Sequence, residues 1–130
     1  MNLIEYVTYR NHPLKELDMN LRFWRQFANQ VRAYDGMEIH NFLNCRCALQ
    51  WALEKLNGQA IRNLPEILEL DRKVMEERGY IVKQVHHEIF KKVRREDKLS
   101  DAFWWWHLDE IVKAEQDEPL ITAKVMRDIY

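Results

Sequence analysis

Apolar residues recur along this chain at alternating steps of three and four, the period of a helix with one buried face. From about Pro13 to Tyr34 the stripe is Leu14, Leu17, Leu21, Trp24, Ala28 and Val31. From about Met37 to Leu56 it is Ile39, Phe42, Leu49, Leu53 and Leu56, with Arg46 as an interruption. A third segment opens at Asn63, read as an N-cap with Glu66 three positions on, and carries Ile67, Leu70 and Val74 towards Gly79. A fourth, about Tyr80 to Arg95, aligns Val82, Val85, Ile89 and Val93. A fifth takes Asp97 or Ser100 as its cap and holds Phe103, Trp104, Leu108, Ile111 and Val112. A last segment runs from Pro119 to Tyr130 with Leu120, Ala123, Met126 and Ile129.

The breakers agree with these limits. Pro13, Pro65 and Pro119 each stand at the start of a helical pattern, where a missing N–H costs nothing. Asp35-Gly36, Asn57-Gly58 and Arg78-Gly79 read as helix ends, with glycine available for a left-handed cap. Residues 1–12 read as an N-terminal arm or a short helix capped by Asn2. The connections are short, so neighbouring helices should run roughly antiparallel. The expected fold is an all-α, compact bundle of five to six helices with short connections, forming a single domain over residues 1–130.

Composition narrows the class. With 130 residues, 47% of them apolar, the chain can bury one core without staples. Twenty basic against 21 acidic residues leave a net charge of −1, so no overall basic excess draws it to nucleic acid. The only cysteines, Cys45 and Cys47, lie two apart, a spacing at which helical side chains diverge too far to bridge. Reduced thiols and a cytoplasmic location are the expectation. No stretch resembles a signal peptide, and none approaches the ~20 apolar residues of a membrane span, so no membrane is expected as partner.

The polar residues carry no familiar catalytic or metal-binding pattern. None of the five His follows a Glu at the spacing of inward-facing di-iron motifs, and no two are four apart as in zinc proteases. His40, Cys47 and Glu54 recur every seven residues, and His107 precedes Glu110 by three; both patterns are read as core-flanking side chains rather than ligands. Ser100 is the only serine and is explained as a cap. No Gly-rich loop exists to cradle phosphate. No cofactor and no metal is expected.

A basic run is the stronger feature. Lys91, Arg94 and Lys98 share a face with His87, with Arg95 beside them, and such a face can grip phosphates. Glu88, Glu96 and Asp97 dilute its field. Nucleic-acid binding through this face is one alternative reading. A second comes from the run Asp97 to Trp106, which resembles the third helix of the all-α, MazG-like nucleotide pyrophosphatases, with 41–56 resembling the helix that carries the partner acids. That resemblance implies Mg²⁺ held by four carboxylates. Glu54 and Asp101 match two of them; Asn57 and Lys98 stand where the other two belong. The implied protein is a divergent or degenerate pyrophosphatase.

The preferred reading rests on aromatics. On a helix, Trp104, Trp105 and Trp106 would sweep about 200° of the circumference, flanked by Phe103. A bundle helix offers its core an arc of only about 100°. At least one indole, foremost Trp106, is therefore expected at the surface, where Trp is enriched in binding hot spots. The expected function is a non-catalytic interaction module, a small adaptor, regulator or inhibitor. It would bind a protein partner or a second copy of itself, as a homodimer, through Phe103, Trp104, Trp105 and Trp106.

Overall fold

The computed structural model describes residues 12–58 and 61–117. These form six α-helices and no strand: α1 Pro13–Ala28, α2 Gly36–Leu56, α3 Leu64–Glu76, α4 Arg78–Gln84, α5 His87–Asp97, and α6 over residues 108–117. The fold is thus the all-α bundle the periodicity predicts. The expected N-terminal arm, up to residue 11, and the expected last helix from Pro119 lie outside the described residues.

Pro13 opens α1, and Leu17, Leu21, Trp24 and Ala28 are buried along it; Phe27, one step off the stripe, is buried too, while Leu14 is exposed. A 3-10 turn at Val31–Ala33 reverses the chain into α2. Phe27 stacks on Phe42 at 5.0 Å near that reversal, and Lys55 reaches Glu16 at the far end, so α1 and α2 lie antiparallel. α3 runs beside α1, tied by Arg25 to Glu66 and by Lys73 to Asn29.

The glycines require two corrections. Asp35-Gly36 starts a helix instead of ending one. Asp35 accepts from the Glu38 N–H, and the Glu38 carboxylate accepts from the Asp35 N–H, a reciprocal cap on α2. Gly36 is needed for close approach: a Cβ there would lie 2.3 Å from the Gln84 carbonyl oxygen at the end of α4. Gly79 lies inside α4, because α3 stops at Glu76 and a single residue, Glu77, separates the two helices. The third pair behaves as expected: Asn57 is left-handed at φ 45° and Gly58 follows at φ 91°, closing α2.

The expected helix over residues 80–95 is two helices. Val85 is extended at ψ 118°, and His86 caps α5, its Nδ1 accepting from the Glu88 N–H at 3.1 Å. The bend keeps Val85 in the core but rotates α5, so that Phe90 is buried and Ile89 is exposed. The fifth expected helix also changes. Lys98 adopts φ 52°, the Leu99 N–H bonds back to the Arg94 carbonyl at 3.2 Å, and the chain turns. Trp104–Trp106 form a 3-10 turn, and α6 begins only at residue 108.

Arg46 interrupts the α2 stripe because it is part of the core. It is 5% exposed, and its guanidinium meets the Asp71 carboxylate of α3 at two points, Nε to Oδ1 and Nη2 to Oδ2, each 2.9 Å. The Trp24 indole N–H of α1 donates to the same Oδ1 at 2.9 Å. Asp71 thus satisfies donors from both neighbouring helices, as a carboxylate withdrawn from water must.

Candidate interaction surface

The segment Phe103–Trp106 lies along α2 and runs against its direction. Phe103 sits 6.4 Å from the Trp51 ring, Trp105 donates its indole N–H to Cys47 Sγ at 3.2 Å, and Trp106 meets His40 edge-on at 5.2 Å. Residues 40, 47 and 51 fall on one side of α2 at steps of seven and four, so successive residues of the turn find successive partners. The other side of Trp106 rests on Phe90 of α5 at 5.6 Å.

This geometry overturns the expected exposure of Trp106. Trp106 is fully buried and Trp105 is 1% exposed. The arc argument assumed a continuous helix; a 3-10 turn wedged between α2, α5 and α6 takes indoles on more than one side. Trp105 also stacks under the Arg46 guanidinium, 4.3 Å from its ring. Only Phe103 and Trp104 keep part of their surface, both half-buried. Among the described residues, Trp106 Nε1 has no hydrogen-bond partner.

The turn is pinned from outside. Arg94 of α5 donates to the Trp106 carbonyl at 2.8 Å and to Asp109 at 2.5 and 3.2 Å. Asp109 holds the Arg94 pKa above its ordinary value, chiefly through that hydrogen bond. His107 places Nε2 3.0 Å from the Ser100 carbonyl and Nδ1 3.1 Å from the Glu110 carboxylate. Among the phosphate-gripping candidates, then, Arg94 is occupied within the fold. His87, Lys91, Arg95 and Lys98 are exposed on α5 and its C-terminal cap, where Glu88 takes up His87 at 3.0 Å and Lys91 at 3.7 Å.

Glu54 is exposed on α2, 3.5 Å from Gln50, and Asp101 is fully exposed in the turn before Phe103. Among the described residues, no three His, Cys, Asp or Glu side chains are placed to hold a metal ion together. Both cysteines are free. Burial pushes the Cys45 thiol up to about 11, and burial likewise raises Cys47, against the opposing effect of the Trp105 N–H.

Among the described residues two aromatic side chains are exposed, Phe23 of α1 at 40% and, beside the tryptophan turn, Trp51 at 46%. Trp51 belongs to the outer strip of α2: Met37, Asn41, Asn44, Ala48 and Trp51, at steps of four and three. Met37 is 78% exposed, the two Asn are exposed and Ala48 is half-buried. Everything else on α2 from Ile39 to Leu56 that carries a large apolar side chain is in the core or packed against it. The strip contains no charge, in a chain that is 32% charged. That lack of charge, with a Trp on the solvent face, was a signal readable in the sequence and missed by following only the buried stripe.

Comparison with known proteins finds no matching family, no matching curated protein and no matching solved structure. No helix among the described residues is long and apolar enough to cross a membrane.

Proposed function

We propose that this chain is a non-catalytic interaction module, a small cytoplasmic adaptor or regulator whose binding surface is the outer face of α2 with Phe103 and Trp104 at its edge. One observation carries the reading. Trp51 stands 46% exposed next to the half-buried Phe103, on a strip of α2 that is uncharged from Met37 to Trp51. Leaving an indole wet forgoes the stabilisation of burying it, and Trp is the residue most enriched where truncation costs a complex its affinity. Trp105 and Trp106 serve that surface indirectly: they anchor the turn that sets Phe103 beside Trp51. The free thiols agree with a reducing compartment.

The test immobilises the wild-type chain and its Trp51→Ala variant and compares what each retains from native lysate. The reading expects a protein held by the wild type and lost by the variant, with both melting at the same temperature. It also expects Mg²⁺-dependent hydrolysis of nucleoside triphosphates to stay at background. Turnover that vanishes on changing Glu54 and Asp101 to Ala would contradict it in favour of a pyrophosphatase.

A further inference from the structure

We infer that the partner covering this strip is a second copy of the chain, the two α2 helices lying antiparallel about a two-fold axis beside Asn44. The inference rests on the interaction reading and names its occupant.

The strip is self-complementary. A two-fold contact requires that if residue i meets residue j, then j meets i. Met37 and Trp51 are each seven residues from Asn44, so an antiparallel copy places Met37 against the partner's Trp51 at both ends. A thioether against an indole edge is a favourable contact, and both residue types are enriched in interface cores. Asn41 then falls close to the partner's Ala48, which leaves room for the amide. Asn44 meets its own copy, and an amide, with one acceptor and two donors, can pair with itself.

Charge supports the same register. The strip's uncharged middle can approach its own copy without repulsion, which an acidic or basic face could not. The ends are opposite in sign: Asp35 and Glu38 stand at the start of α2, and Lys55, which stays 46% exposed while reaching Glu16 at 3.4 Å, extends the strip at its end. Antiparallel packing brings the acidic end of one helix beside the Lys55 end of the other. Glu54, beside that lysine, is taken up by Gln50 on the flank. From Met37 to Trp51 the strip spans about 21 Å, roughly four helical turns, and Phe103 widens it at each end.

The experiment uses charge at the axis. Asn44 is exposed in the single chain, so Asn44→Asp and Asn44→Lys should each fold as the wild type does. The wild type should sediment as a dimer at about 100 μM. In each variant alone, like charges oppose each other across the axis, and dimer affinity should fall about tenfold or more. An equimolar mixture should regain the dimer, because Asp then faces Lys. A monomeric wild type overturns the inference, as do variants that dimerise unchanged or a mixture that stays monomeric. If the wild type is monomeric yet retains a different protein through Trp51, the second copy is refuted while the interaction reading survives. If Trp51→Ala loses nothing as well, both fall.

Discussion

Arg46 and Asp71 meet inside the bundle as a two-point ion pair, with side chains only 6% and 13% exposed. Each is wedded to a tryptophan: Arg46 lies over Trp105, and Asp71 accepts from Trp24. Removing either charge strands the other away from water. Asp71→Ala should cost about 3 kcal/mol or more, measured by urea unfolding. Asp71→Asn keeps an acceptor and should cost less. An Asp71→Ala protein as stable as the wild type would show that this pair does not join α2 to α3.

Gly36 and Gly79 should respond oppositely to alanine. At Gly36 the added methyl runs into the backbone of Gln84, and parting α2 from α4 should cost about 1–3 kcal/mol. At Gly79, inside α4, nothing lies within 4 Å of the added carbon. Gly79→Ala should therefore gain about 0.5–1 kcal/mol from helix propensity. Thermal melts of the two variants read the difference in sign directly.

Arg94 should behave unlike its basic neighbours. It ties α5 to the tryptophan turn and to α6 through a pair whose side chains are 13% and 12% exposed. Arg94→Glu should destabilise by about 3 kcal/mol, because Asp109 then faces a second carboxylate. Lys91→Glu, on the open side of α5, should stay within about 0.5 kcal/mol. Equal losses for the two would refute the anchoring role.

The thiols predict alkaline behaviour. Cys45 titrates at about 11 in the folded chain against an ordinary 9.0, because burial disfavours the thiolate. Between those values the unfolded chain has released a proton that the folded chain keeps. Stability should accordingly fall as pH rises from 9.0 to about 11, with no contribution from this group below 9.0. Cys45→Ala should show a shallower fall over that window. Parallel unfolding curves for the wild type and the variant at each pH would remove the group from the account.

The helical period revealed what it physically encodes and no more. Ile67, Leu70 and Val74 are buried on α3 as their spacing requires. The breaks it missed carry no Gly or Pro: α4 and α5 part at Val85-His86, and the expected fifth helix opens as a 3-10 turn at Trp104–Trp106, with α6 beginning only at residue 108. The first break rotates α5 so that Phe90 is buried in place of Ile89, and the second makes the tryptophans a wedge, which is why Trp106 is core. Arg46 looked like a flaw in its stripe because its partner, Asp71, is 25 residues away. Trp51 escapes the period for the opposite reason: it lies off the buried stripe, on the solvent face of α2.

The outer strip of α2 is the proposed binding face, and Trp105 and Trp106 hold the fold beneath it. Sedimentation equilibrium of the wild type beside Trp51→Ala, at about 100 μM chain, separates the two roles. The wild type is expected at twice the 15.9 kDa chain mass and Trp51→Ala at a single chain mass, with helicity and cooperative melting unchanged. A wild type at the mass of one chain, or a Trp51→Ala variant that keeps the wild-type mass, would contradict the binding role of the strip.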